Sequence, residues 1–339
     1  MPKAVFRCDA GPGIGNGHVF RNLAIAAELK KRGWECLFAG NRAANVIMTS
    51  VVVEDERVPF LELDHPRDPE HFLAKLESLR DLVVFDHYGL DATYESVVRK
   101  RAGKILVLDD LANRDHDADL LLDQGVARVR DDYEGLISSQ CRTLFGLNYV
   151  LIRPTVLTAR EACLQLDRTA PVERLLVTVG GMDGREILPT LVAGILHLKC
   201  DLKIDVVLGS KAKTLEKIQN MSSANINVHV DTSKMPTLIS AADFGIGVGG
   251  VSAFERCCCG VPSLLIEVAD NQKQTCQALG QAGAAHFLGK WDQVSAGDLS
   301  SSLCEYVDNG LARKTMSDSA FQLIDGFGAQ RVVDEIFSF

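Results

Sequence analysis

The chain has 339 residues, 47% of them apolar, and carries a formal net charge of −9. That length accommodates two domains of ordinary size, each with a full core. The acidic balance argues against a nucleic-acid or anionic-membrane surface and leaves small molecules or other proteins as the expected partners.

Met1-Pro2-Lys3 runs directly into an apolar segment, and no later stretch offers the ~20 uninterrupted apolar residues of a membrane span, so a cytoplasmic protein is expected. The ten cysteines form no Cys-x-x-Cys pair. They read as reduced, partly buried thiols rather than as disulfides or a zinc site.

Strand and helix patterns alternate through the first half. Apolar runs at Ala4 to Cys8, Cys36 to Ala39, Leu82 to Phe85 and Ile105 to Leu108 predict strands, and Gly17 to Arg32, His71 to Leu79 and Ala92 to Arg101 predict helices between them. In the first helix Val19, Leu23, Ala26 and Ala27 form one stripe, and Gly33 ends it. Such βαβα order implies a mostly parallel sheet covered by helices, with ligands at the carboxyl ends of its strands. The first strand leads into Gly13-Ile14-Gly15-Asn16-Gly17-His18, a glycine run ahead of a helix. Glycines let backbone approach a ligand, and the unpaired amides of a first helical turn favour an anion. The positive end of the helix favours a neutral imidazole, which places His18 to accept a proton; a plain capping or solvent-facing role stays open on these residues alone. The spacing matches neither the dinucleotide fingerprint nor the P-loop, so neither NAD nor ATP is expected.

Two later strand ends carry polar residues on the same ligand side, Asp86-His87-Tyr88 and Asp109-Asp110, although aspartates there also serve as caps and turn residues. Asp115-His116-Asp117-Ala118-Asp119 is expected to be a solvated turn in preference to a metal site, because no cage of oxygen ligands surrounds it in the sequence. Leu121-Leu122-Asp123-Gln124 is expected to close the first sheet.

The alternation weakens between Gly125 and Val172, where Arg153-Pro154 and Ala170-Pro171 punctuate the chain. The predicted division is a first domain at 1–150, a linker at 151–171, a second domain at 172–325 and a C-terminal helix at 326–339. Strands predicted at Leu175 to Val179, Ile204 to Leu208, Ile226 to Val230, Phe244 to Val248 and Ser263 to Ile266 build a second doubly wound sheet. Two of them end in glycine pairs, Gly180-Gly181-Met182-Asp183-Gly184 and Gly249-Gly250-Val251-Ser252-Ala253-Phe254-Glu255-Arg256. If Ser252 begins a helix, its amides hold a diphosphate and Glu255 accepts ribose hydroxyls; the same Ser-x-x-Glu spacing also fits a capping box. Asn271-Gln272 follows the next strand with amides that both donate and accept.

Taken in order, several motifs form a specific set. They are Phe6-Arg7-Cys8-Asp9, Gly15-Asn16-Gly17-His18-Val19-Phe20-Arg21, Asp86-His87-Tyr88, Asp109-Asp110-Leu111-Ala112 and Gly146-Leu147-Asn148-Tyr149 with Arg153-Pro154. Gly180-Gly181-x-Asp183, Gly249-Gly250 with Glu255-Arg256, Pro262 and Asn271-Gln272 complete it. Over most of its length the sequence resembles the UDP-2,4-diacetamido-2,4,6-trideoxy-β-L-altropyranose hydrolases of pseudaminic acid biosynthesis. Those are related to spore-coat polysaccharide proteins and, more distantly, to MurG-type glycosyltransferases. The resemblance implies a GT-B-like α/β fold of two doubly wound Rossmann-like domains facing across a cleft, with UDP on the C-terminal one. It implies that His18 is catalytic, that Tyr88 and Asn271 line the site and that Glu255 binds the ribose. Together with the residues read above, Gly15, Gly17, Arg21 and Asp86 are expected to join Tyr88 and Asn271 at the substrate, and Gly180, Gly181, Gly249, Gly250 and Ser252 to join Glu255 at UDP. Phe254, Cys8 and Gly125 depart from the family pattern, the last two at strand ends of the sugar-side domain.

The expected activity is hydrolysis of a UDP-linked amino-deoxy sugar, with water attacking the anomeric carbon and UDP leaving by carbon–oxygen cleavage. UDP needs charge stabilisation more than protonation, so backbone amides suffice and no cofactor or metal is expected. A glycosyltransferase of the same fold and a non-catalytic nucleotide-sugar-binding protein remain alternatives. The sequence assigns no oligomeric state.

Overall fold

The computed structural model describes residues 1–11, 14–76, 80–181, 183–198 and 200–338. Gly13, the end of the predicted helix at Leu79, and Met182 lie outside the described residues. The chain divides into two compact units, Met1–Pro154 with Gly326–Phe339, and Thr155–Asp325.

The first unit is built on seven parallel strands. They are β1 (Lys3–Cys8), β2 (Glu35–Gly40), β3 (Phe60–Glu62), β4 (Arg80–Asp86), β5 (Ala102–Leu108), β6 (Leu120–Asp123) and β7 (Arg142–Phe145), in the order β3-β2-β1-β4-β5-β6-β7. Central strands covered on both faces are mostly apolar, which is why Ile105 to Leu108 of β5 reads as an unbroken run and β1 as one interrupted by the buried Arg7. On one face Phe6 stacks on Phe38, and Val19, Leu23 and Ala26 of the helix Gly17–Lys31 pack over them; Ala27 is only half-buried. Gly33, at φ +83°, turns the chain out of this helix. The other face buries Val5, Val83 and Phe85 beneath Phe72 and Val98 of the helices Pro69–Lys75 and Ala92–Arg99.

Two expectations need correction. The sheet does not close at β6, because β7 pairs beyond it; β7 and β3 are edge strands too short to show a period. The predicted linker contains a helix, Pro154–Cys163, which belongs to the second unit from Thr155 on, where Arg160 donates to the carbonyls of Cys258, Ile324 and Phe321. Pro154 reads as a break but is well suited to a first helical position, where its missing N–H is no loss. The C-terminal helix Gly328–Phe337 adds Ala329, Val332, Val333 and Ile336 to the core of the first unit. It approaches so closely that a Cβ on Gly328 would lie 2.1 Å from the Val150 carbonyl.

The second unit has six parallel strands. They are β8 (Arg174–Thr178), β9 (Lys203–Leu208), β10 (Ile226–Val230), β11 (Phe244–Val248), β12 (Ser263–Glu267) and β13 (His286–Lys290), in the order β10-β9-β8-β11-β12-β13. In each sheet the direction of winding reverses once, between β1 and β4 and between β8 and β11. Ligands of open parallel sheets bind at such reversals, beyond the carboxyl ends of the strands. No helix among the described residues is long and apolar enough to cross a membrane.

Candidate functional site

At the first reversal β1 and β4 lie side by side, with Cys8 opposite Asp86. Asp86 ends β4 with no exposed surface. The helix after β1 places His18, Arg21 and Asn22 on one face, since positions three and four apart are neighbours on a helix. All three converge on Asp86. His18 Nδ1 contacts Oδ1, Arg21 Nε donates to Oδ2 at 2.7 Å, and Asn22 Nδ2 donates to Oδ2 at 2.6 Å and to the His18 carbonyl at 2.8 Å. Burial alone would raise the Asp86 carboxyl, but the Arg21 guanidinium and then His18 outweigh it and hold the group well below the usual carboxylate range. An ionised carboxylate only accepts hydrogen bonds, so the hydrogen of the imidazole sits on Nδ1 and the lone pair on Nε2. No described residue hydrogen-bonds Nε2. The result is an oriented imidazole whose basic nitrogen is unclaimed among the described residues.

Asp86 and Arg21, expected as substrate contacts, therefore have a different place. Both are buried, and their polar atoms are committed to His18, Asn22, Asp110 and each other. Asn22, which sequence reasoning missed, was detectable only as the residue one helical turn beyond His18. Tyr88 stands edge-on to His18, with ring centroids 4.7 Å apart, and its phenol donates to Asp110 Oδ2 at 3.3 Å, as Arg21 Nη1 does at 3.2 Å. Burial and the neighbouring Asp110 raise the Tyr88 hydroxyl, so it stays protonated at neutral pH. Gly15 adopts φ +81°, a left-handed conformation suited to glycine, and Gly17 opens the helix.

A second network braces the same strand ends. Arg7 Nη1 donates to Asp9 Oδ1 at 2.7 Å, and Arg7 Nη2 donates to the Pro66 carbonyl at 2.6 Å. His87 takes the Gly89 amide on Nδ1 at 2.8 Å, so its Nε2–H donates to Asp9 Oδ2 at 3.0 Å. Against the opposing effect of burial, His87 and Arg7 hold the Asp9 carboxyl far below its ordinary value. Further along, Asp109 and Asp123 share the Tyr133 hydroxyl at 3.0 and 2.8 Å. Burial raises Asp123 despite Arg128, and Asp109 is lowered by Arg114 against its own burial. Gly125 has a local reason: its amide donates to Asp123 Oδ1 at 2.7 Å, and a Cβ there would lie 2.7 Å from the same oxygen.

The segment Asp115 to Asp119 is not the solvated turn expected of it. Arg99 bridges Asp117 and Asp119 at 2.8 and 3.0 Å, Asp119 Oδ2 accepts the Ile105 amide at 2.7 Å, and buried His116 pairs with Glu95 at 2.8 Å. The carboxylates of Asp117 and Asp119 are spent on internal partners, while Asp115 is exposed. All ten cysteines are free, and only Cys200 and Cys304 are exposed.

The second unit places both glycine pairs at its own reversal. Gly180, at φ +86°, has open space around its Cα, whereas Gly181 packs under β9, its carbonyl accepting the Gly209 amide at 2.8 Å. Asp183 is buried behind them, accepting from the Ile187 amide at 3.0 Å and from the Thr214 hydroxyl. A Cβ on Gly249 would lie 2.4 Å from Cys276 Sγ and 3.1 Å from the Gln272 carbonyl, so the turn Asp270–Gln272 carrying Asn271 presses against this loop. Asn271 itself is exposed. The following helix is Val251–Cys258, with Gly250 as its cap and no side-chain hydrogen bond there. The cap residue therefore offers the first amides of this helix no side-chain acceptor, which favours anion binding there. Ser252 is the second helical residue rather than the cap, which removes the capping box as the explanation of the Ser252 to Glu255 spacing. Glu255 and Phe254 are buried, Ser252 half-buried.

No family model matches the chain. It is 25% identical to the UDP-2,4-diacetamido-2,4,6-trideoxy-beta-L-altropyranose hydrolase of Campylobacter jejuni, over 71% of this chain and 82% of that protein. Against the spore coat polysaccharide biosynthesis protein SpsG of Bacillus subtilis, identity is also 25%, over 96% of this chain and 94% of the other. Among solved structures, MurG of Acinetobacter baumannii aligns over 100% of both chains with a TM-score of 0.64 and 16% identity. The spinosyn rhamnosyltransferase SpnG complexed with thymidine diphosphate aligns over 98% of this chain and 99% of that one, with a TM-score of 0.62 and 13% identity. In sequence the chain resembles the altropyranose hydrolase and SpsG, and its fold is that of GT-B glycosyltransferases, two Rossmann-like parallel-sheet domains.

Proposed function

We propose that this protein is a hydrolase of a UDP-linked amino-deoxy sugar, acting in nonulosonic acid or surface-polysaccharide biosynthesis. The observation that carries the reading is the Asp86–His18 pair, an imidazole with a fixed tautomer and an unclaimed Nε2. Nε2 takes a proton from water as the water oxygen attacks the anomeric carbon. The bond from that carbon to the diphosphate oxygen breaks, and UDP leaves with the electron pair. Asp86 stabilises the imidazolium that forms, as the third member of a catalytic triad does. Tyr88 and Asn271 contact the sugar, and Gly15 and Gly17 let backbone approach it. In the second unit the Gly180-Gly181 and Gly249-Gly250 loops and the amides at Ser252 hold the diphosphate, and Glu255 accepts the ribose hydroxyls. Growing charge on the departing oxygen is met by these amides, so the reaction proceeds without a divalent metal. The unpaired cysteines support a cytoplasmic setting.

Hydrolysis is favoured by the name of the Campylobacter relative, and the polysaccharide setting by that of SpsG. Transfer to an acceptor hydroxyl is the second reading, favoured by the fold neighbours. Incubation with a panel of UDP-amino sugars and no acceptor tests the proposal. UDP release with equimolar free sugar supports hydrolysis; release only after an acceptor is added assigns transfer instead.

A further inference from the structure

Arg256 is among the largest fully buried side chains of the molecule, yet it forms no ion pair among the described residues. Its Nε donates to Ser263 Oγ at 3.1 Å and its Nη1 to Ser252 Oγ at 3.4 Å, while Nη2 is buried with no partner. Strand β11 is shaped to seat it. A Cβ on Gly245 would lie 2.8 Å from Arg256 Cδ, and one on Gly247 would lie 2.9 Å from both Nη atoms. The alternating glycines of Phe244-Gly245-Ile246-Gly247-Val248 thus leave a channel for a guanidinium just below the Gly249-Gly250 turn. Burial pushes Arg256 down to about 10, which leaves it charged at neutral pH. The neighbouring buried Glu255 favours this charge without forming an ion pair with it. A buried charge without a direct counter-charge is costly, and a buried orphan donor adds to the cost. Packing alone does not account for arginine here, because an apolar side chain of similar volume avoids both penalties.

The contact with Ser252 supplies a reason. A guanidinium only donates, so Ser252 Oγ is the acceptor, and the hydroxyl hydrogen is left to point elsewhere. Ser252 is half-buried at the start of the helix Val251–Cys258, beside first-turn amides that have no side-chain cap. We propose that Arg256 is the positioning residue for the nucleotide diphosphate: it fixes Ser252 as an outward donor and supplies the positive charge that the bound anion neutralises. This rests on the reading of the second unit as the UDP-binding one.

The test is calorimetric titration with UDP and with uridine, beside thermal melts of the unliganded protein. Arg256→Met is expected to bind UDP about tenfold or more weakly, the size of one charge-assisted hydrogen bond, with uridine affinity unchanged. Its unliganded melting temperature stays equal to or above that of the parent. Ser252→Ala is expected to weaken UDP as well, and the double variant to be no weaker than Arg256→Met alone, because the two act in series. UDP binding by Arg256→Met equal to that of the parent, or an equal loss for UDP and uridine, overturns the role of Arg256. If Arg256→Met does not fold, Ser252→Ala decides, and unchanged UDP affinity there overturns the proposal. A parent protein that does not bind UDP at all instead refutes the nucleotide reading, and the role of Arg256 with it.

Discussion

Replacing Asp86 by asparagine changes one atom of the side chain and reverses its hydrogen-bond logic. Asp86 accepts from His18, Arg21 and Asn22, and every one of these partners presents a donor. An amide offers one acceptor oxygen and one NH2 group, so one side of the substituted side chain must face donors with a donor. If the oxygen stays with Arg21 and Asn22, the NH2 faces His18 Nδ1, which then accepts, and the imidazole hydrogen moves to Nε2. The base is lost although the ring has not moved. The same exchange in a serine protease triad costs about 10⁴ in kcat, and loss of a general base typically costs about 10²–10⁴, so Asp86→Asn should fall in that range. Stability falls too, because Arg21 loses a buried counter-charge. Breaking a buried pair costs about 3–5 kcal/mol, and the low end applies because Asp110 remains 3.2 Å from Arg21 Nη1. The assay is acceptor-free UDP release at a temperature well below the midpoint of the variant, with UDP affinity and a denaturant melt measured alongside. Turnover within a few-fold of the parent would refute the assignment of Asp86 as the group that orients His18. So would a loss of activity accompanied by an equal loss of UDP affinity.

Four further outcomes are expected. His18→Asn lowers kcat by about 10²–10⁴ while UDP affinity by calorimetry stays at the parent value; near-normal turnover removes His18 as the base. Glu255→Ala weakens UDP by about 1.5–3 kcal/mol in titration calorimetry, as for a hydrogen bond to a charged group, and unchanged affinity excludes the ribose contact. Hydrolysis in ¹⁸O-labelled water puts label in the anomeric hydroxyl of the sugar and none in UDP, read promptly by mass spectrometry. Label in the phosphate, or EDTA inhibition reversed by magnesium, contradicts the mechanism. Asp9 and Asp86 both titrate below the ordinary carboxylate value of 3.8 in the folded protein, so their stabilisation is present at neutral pH and is lost as pH falls through their folded values. Denaturant melts should weaken progressively below about pH 4, and Asp86→Asn should flatten that slope; a parent protein equally stable at pH 5 and pH 2.5 disproves it.

Local pattern was enough to read most of the scaffold. Buried parallel strands are mostly apolar runs, and β5, β8 and β11 stand out as such, because burial on both faces leaves few polar positions to blur the signal. Strand β1 carries one, the buried Arg7, which pairs with Asp9. The glycine run before His18 and the pair at Gly249-Gly250 were equally plain, since turns that bring backbone close to a ligand need residues without a Cβ. Edge strands β3 and β7 were not, being short and half-exposed, and Pro154 read as a stop although it begins a helix. What only the tertiary structure decided is what each polar residue faces. Asp86 reaches His18 across 68 positions of sequence because β4 returns beside β1, and the same crossing turns an expected substrate contact into a buried support. The helix Gly328–Phe337 completes a core begun at Ala4, and Arg256 looks like any surface arginine until β11 is seen to close over it. Periodicity along a chain records which side of an element is buried. It does not record which distant element supplies the partner, and in this protein the orientation of His18 and the placing of Arg256 both rest on distant partners.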